Sequence, residues 1–94
     1  MSEFDQKKNT NIISVTELNT SAKKLLEKDF SSIWVSGEVS NFRSYDSGHW
    51  YFKIKDYNSE LECVMFKFIN NSINKRPADG DNLILKGIIS MYFA

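Results

Sequence analysis

The sequence predicts a mainly β domain with an N-terminal helix, in which four strands form a small Greek-key barrel. Three observations predict it. A capped amphipathic segment comes first, four segments of alternating apolar and polar residues follow, and a glycine lies inside the first of those four. That glycine, Gly37, is typical of a bulge or a sharp bend in a small coiled barrel.

The helix is predicted to begin after Ser14. Ser14 and Glu17 have the spacing of a capping box, and Ile13 with Leu18 fits a hydrophobic staple across the same helix start. The apolar residues that follow fall on one helical face, and the pattern predicts an end near Lys28.

The residues before this helix are polar and lack periodicity, so we expect residues 1–11 to be a flexible arm and residues 12–94 to be one domain. The predicted strands cover residues 32–42, 49–55, 60–68 and 81–93. The second and third form a hairpin through the turn DYNS, and a short helix is expected before the fourth.

The composition excludes several classes of protein. Twelve basic residues balance twelve acidic ones, which argues against a binder that relies on non-specific phosphate neutralisation. One cysteine and one histidine cannot form a disulfide or a closed zinc site, so we expect neither metal nor cofactor, and no catalytic motif is visible. With no membrane-length apolar run and no signal peptide, the expected compartment is the cytoplasm, without membrane contact.

The most informative segment is SGHWYFKIKD, at residues 47–56. Its two-residue period separates a core side from a side of rings and cations, which is the chemistry that binds single-stranded nucleic acid. The predicted core residues are Trp50, Phe52 and Ile54, with Leu61, Cys63 and Met65 on the next strand. The candidate nucleic-acid-binding residues on the other side are His49, Tyr51, Lys53 and Lys55.

The two lysines have a competing explanation. If DYNS closes the hairpin, Lys55 faces Glu60 and Lys53 faces Glu62, and these cross-strand pairs would partly neutralise the candidate surface. Tyr51 could likewise be an ordinary cross-strand tyrosine, and His49 an ordinary solvated histidine.

A second group of candidates follows the first strand. Asn41, Phe42 and Arg43 enter a loop where a ring and a planar cation could hold a single strand, although Phe42 could instead belong to the core.

Several blocks of the sequence resemble one known family, the N-terminal domain of the exodeoxyribonuclease VII large subunit. They are ISVTELN at 13–19, SIWVSGEVSNFR at 32–43, SGHWYFKIKD with ECVMFK within 47–67, and PADGD at 77–81. The resemblance implies an OB-fold that binds single-stranded DNA and positions it for hydrolysis. In that family a larger downstream segment carries out the hydrolysis, and a small subunit completes the enzyme. This segment alone is therefore expected to be non-catalytic.

Two alternatives stay open at this point. Gly37-Glu38-Val39 followed by Tyr51 also resembles the anticodon-binding OB-fold of class II aminoacyl-tRNA synthetases, which implies RNA as the ligand. An OB module that docks another protein is the other alternative, and the zero net charge favours it.

The sequence also leads us to expect an incomplete barrel. An OB barrel needs five strands, and the sequence ends just after the fourth predicted one. We therefore expect open strand edges and self-association through them.

Overall fold

The structure is a computed structural model that describes residues 11–91. The predicted arm, residues 1–11, lies outside this range except for its last residue. Two compact units are present. Within the described residues, the first unit comprises residues 11–32 and 88–91, and the second comprises residues 33–87. The helices and strands, in chain order, are α1 Val15–Asp29, β1 Ile33–Ser44, β2 Trp50–Lys55, β3 Glu60–Met65, α2 Lys67–Asn70 and β4 Asn82–Gly87.

The first unit contains α1, whose predicted capping box is confirmed. The Ser14 hydroxyl accepts a hydrogen bond from the Glu17 N–H at 3.0 Å, and a Glu17 carboxylate oxygen accepts one from the Ser14 N–H at 3.4 Å. The segment after β4 joins the same unit, because the Ile89 N–H donates to the Phe30 carbonyl at 3.0 Å. No helix within residues 11–91 is both long enough and apolar enough to cross a membrane.

The second unit is one curled antiparallel sheet in the order β3-β2-β1-β4, which confirms the mainly β fold class. β1 is the shared strand. Its residues 33–38 pair with β4, and its pairing with β2 runs from residue 38 to residue 44. The sheet therefore changes partner along a single strand, as a coiled barrel requires.

Gly37 lies just before this change of partner. A Cβ atom built there would be 3.0 Å from the Ile54 Cβ and 3.2 Å from the Lys55 carbonyl oxygen. A side chain at this position would push β2 away from β1, so the close approach of the two strands explains the glycine.

The core lies on one face of the sheet. Its buried members are Val39, Trp50, Phe52 and Ile54, so three of the predicted core residues are confirmed. Cys63 and Met65 are half-buried against them. Leu61 was expected to be core, but it is 42% exposed because β3 is an edge strand, with no neighbour on its outer side among residues 11–91.

Two strands are shorter than predicted. β3 ends at Met65, and Phe68 lies in α2 with 77% of its surface exposed. The chain turns here because Asn70, which is buried, donates through its side-chain amide to the Gly48 and Met65 carbonyls, at 2.9 and 3.2 Å. β4 ends at Gly87, six residues before the predicted end.

Candidate nucleic-acid interface

The sheet face opposite the core is the candidate interface, and we call it the outer face. The strand registers place its residues in rows across the sheet. Its members are Trp34, Ser36, Glu38, Ser40, Arg43, Tyr51, Lys53, Lys55, Glu60, Glu62, Val64, Asn82, Ile84 and Lys86. Four of the seven predicted site residues are therefore together on one surface.

Tyr51 and Arg43 lie directly opposite each other at one end of the outer face. Tyr51 is half-buried, and the ring of Tyr45 meets it edge-on at 5.2 Å between centroids. Arg43 is exposed and makes no ion pair with any residue between 11 and 91. A fixed ring with an unpaired planar cation beside it suits a nucleotide, because the base can stack while the cation meets phosphate.

Tyr45 was missed from the sequence because it belongs to the turn SYDSG. The ring follows a strand by one residue, and nothing in its own neighbourhood shows that the chain folds back toward Tyr51. Only the hairpin between β1 and β2 brings the two rings together.

The middle of the outer face is electrically neutralised. The predicted register is confirmed, with Lys53 opposite Glu62 and Lys55 opposite Glu60. The closest ion pair is nevertheless diagonal: the Lys53 ammonium is 3.3 Å from a Glu60 oxygen and 3.9 Å from a Glu62 oxygen. Lys55 reaches across to Glu38, 3.7 Å away on β1. Both lysines are therefore already paired with carboxylates, which reduces the charge that they can offer to a phosphate.

The sequence suggested a bulge or a sharp bend at Gly37, and the bulge of β1 lies instead between Ser40 and Arg43. Asn41 supplies the left-handed backbone conformation there, with φ of 52°, and its side chain is exposed. The bulge is held from the PADGD turn, because the Asp79 carboxylate accepts a hydrogen bond from the Phe42 N–H at 2.9 Å.

Phe42 is consequently turned to the core side of the sheet and away from Tyr51. Its ring meets Trp50 edge-on at 5.5 Å and stacks on Phe52 at 6.0 Å between centroids. The Arg76 guanidinium lies 5.9 Å from the centre of the same ring. Arg76 is itself exposed and lies in the loop before β4.

His49 has a structural partner. Its Nδ1 accepts a hydrogen bond from the Lys67 N–H at 2.9 Å, and its ring meets Phe66 edge-on at 5.2 Å. The imidazole thus holds the start of α2 against the end of the β1–β2 loop. Its second nitrogen, Nε2, is the one left to donate to another group.

Cys63 does not have the character of a nucleophile. Burial raises the pKa of its thiol and outweighs the opposing effect of a hydrogen bond with the backbone of Ile54, and the neighbouring Glu62 charge adds a smaller increase. The reactive thiolate is therefore disfavoured at neutral pH. Within residues 11–91 no cluster of three or more metal-ligating side chains is present.

Comparison with known proteins identifies the family to which the fold belongs. Residues 13–94 match the family described as "OB-fold nucleic acid binding domain". Three similar proteins are each named "Exodeoxyribonuclease 7 large subunit". The one from Shewanella denitrificans is 45% identical over 82 residues, the one from Hahella chejuensis 46% over 79, and the one from Shewanella oneidensis 44% over 82.

These matches cover 87%, 84% and 87% of this chain but only 18% of each relative. The chain thus spans less than a fifth of the length of the proteins it resembles. The resemblance drawn from the sequence blocks is confirmed over this region. Because the family match extends over most of the chain, the chain belongs to the family of OB-fold nucleic acid binding domains.

Proposed function

We propose that this chain binds single-stranded DNA on the outer face of its sheet. The observation that carries the proposal is the pairing of Tyr51 with Arg43 at one end of that face, with Tyr45 against the Tyr51 ring. A base stacks on the tyrosine, and the guanidinium of Arg43 meets the adjoining phosphate. Family membership supports nucleic acid as the ligand class.

The electrostatics make this a weak, stacking-dominated interaction. Lys53 and Lys55 share their charge with carboxylates, so few phosphates can be neutralised. Each phosphate that is contacted adds about 0.7 to the slope of log affinity against log salt. We therefore expect a shallow but measurable salt dependence.

We further propose that the domain positions a DNA strand for a catalytic segment that lies elsewhere in a larger protein. The relatives support this, because they are named as exodeoxyribonuclease large subunits and the chain corresponds to a small part of them. A small subunit would then be a further partner. Under this proposal the hydrolytic residues do not come from this segment, whose role is binding.

The test is a fluorescence anisotropy titration of a labelled single-stranded DNA with the 94-residue chain. Unlabelled single-stranded DNA, single-stranded RNA and duplex DNA of the same sequence serve as competitors. We expect single-stranded DNA to compete best and duplex to compete poorly, because a duplex hides the base faces that Tyr51 needs. Preferential competition by RNA would favour the anticodon-type alternative, and no binding at low salt would favour a protein-docking role.

A further inference from the structure

A second exposed ring lies at the other end of the outer face. Trp34 is 69% exposed and pairs across the sheet with Lys86, whose ammonium lies 5.7 Å from the centre of the Trp34 ring. Ile84, on the same face one row away, is 72% exposed. Large apolar side chains at this exposure on a sheet face need an explanation beyond folding.

The charges distinguish this end from the middle of the face. Lys53 and Lys55 are paired with carboxylates, whereas Lys86 makes no ion pair within the part of the chain that the structure describes. Its ammonium lies instead over the Trp34 ring. An available cation beside an available indole repeats, with different residues, the combination of Arg43 with Tyr51.

We propose that Trp34 and Lys86 form a second stacking site for the same single strand. The inference rests on the proposed function and extends it, because it makes the binding surface run along β1 from Arg43 to Trp34. These residues are nine apart, about 30 Å at the usual rise of ~3.3 Å per residue. OB-folds bind roughly 4–16 nucleotides, so a strand of moderate length spans that distance.

A base can reach the Trp34 ring although the Lys86 ammonium lies over it. A lysine above one side of an indole is held weakly at an exposed site, and its flexible stem lets the ammonium turn to a phosphate. The base then takes the face of the ring. Nucleic acid fits better than an apolar protein segment, because an apolar partner would bury the unpaired Lys86 charge without compensation.

The experiment compares two single-stranded DNAs, of about 4 and about 12 nucleotides, which sample the size range of OB-fold sites. Trp34→Ala should weaken binding of the longer one by about fivefold or more, the lower end of a stacking contribution. Binding of the shorter one should stay within about twofold, since Tyr51 remains available to it. Trp34→Phe should retain most of the affinity. Trp34→Leu should not, because it keeps apolar area but has no ring.

Two further measurements separate the possible outcomes. Lys86→Gln should reduce the salt slope for the longer DNA by about 0.7. In NMR spectra, the indole N–H signal of Trp34 should shift when that DNA is added, while that of buried Trp50 changes little.

If wild-type and Trp34→Ala bind the longer DNA equally, this inference is wrong and the proposed function stands. If the wild type binds neither DNA, both are wrong. Full affinity in Trp34→Leu would assign the surface to protein contact and overturn the inference. A Trp34→Ala variant that loses self-association but keeps its DNA affinity would do the same.

Discussion

At the scale of single residues, neighbouring aromatic side chains on β2 have opposite roles. Successive side chains of a strand point to opposite faces, so Trp50 is buried with 7% exposure while Tyr51 lies on the outer face. Trp50 meets Phe42 edge-on, and the two are part of the same packed cluster. One ring stabilises the fold, and the next one along the chain is left available for a ligand.

This difference predicts opposite results for the two tryptophans. Trp50→Ala should lower the free energy of unfolding by roughly 3–5 kcal/mol, because it removes a large buried ring from a small core. Trp34→Ala is the matched control and should cost about 1 kcal/mol or less, since its ring is exposed. Urea unfolding followed by circular dichroism measures both. Equal costs would show that the burial assigned to Trp50 is wrong.

At the scale of elements, alternation along single strands could be predicted and contacts between distant segments could not. The period-two pattern correctly separated Trp50, Phe52 and Ile54 from the outer face. Phe42 was different, because its direction depends on a bulge held by Asp79, which is 37 residues away in sequence. The same limit applies to β3, whose end is fixed by hydrogen bonds from the Asn70 side chain in α2 to the carbonyls of Gly48 and Met65, and not by its own apolar pattern.

Gly37 offers a test of the close approach between β1 and β2. Gly37→Val should destabilise the fold by roughly 1–3 kcal/mol, as overpacking does, because a Cβ there already meets the Ile54 side chain and the Lys55 backbone. Gly87→Val is the control, since no atom lies within 4 Å of a Cβ built at that position. In thermal unfolding, the melting temperature of Gly37→Val should therefore be clearly lower than that of Gly87→Val. Equal melting temperatures would contradict the packing described for β1.

The cross-strand ion pairs lead to a prediction about affinity. Glu60→Gln combined with Glu62→Gln removes both carboxylates near the Lys53 ammonium. We expect tighter binding of single-stranded DNA and a salt slope steeper by about 0.7, because Lys53 can then contact a phosphate.

Adding Lys53→Gln to that double variant is the control, and it should return the affinity and the slope to wild-type values or below. Unchanged binding in the double variant would mean that no phosphate passes near Lys53.

At the scale of the whole molecule, the fold class and the broad ligand class, nucleic acid, could be predicted from the sequence, but the extent of the proposed binding surface could not. Local blocks carry the family resemblance and the alternation, so the OB-fold was expected. Trp34 meets Lys86 only because the first and last strands pair, and Tyr45 meets Tyr51 only because the chain folds back after a turn, so neither ring was predicted for the surface. Trp34 did carry a signal, since it shares the period of Ser36 and Glu38 and not that of Val35.

The edges of the sheet predict how the 94-residue chain behaves in solution. Within the described strands, β3 and β4 each pair on one side only, and Leu61 on β3 is 42% exposed. Unpaired strand edges with apolar side chains recruit strands from other molecules. We expect concentration-dependent self-association in light scattering. A folded monomer that persists to high micromolar concentration would contradict this expectation.

The central claim is that single-stranded DNA binds on the outer face through Tyr51. The most direct test compares DNA affinity in Tyr51→Ala and Tyr57→Ala, with circular dichroism to confirm that both remain folded. Tyr57 is the matched control because it is 98% exposed in the turn between β2 and β3. We predict a loss of roughly 1–3 kcal/mol of binding free energy for Tyr51→Ala and little change for Tyr57→Ala. Wild-type affinity in a folded Tyr51→Ala variant would contradict the account.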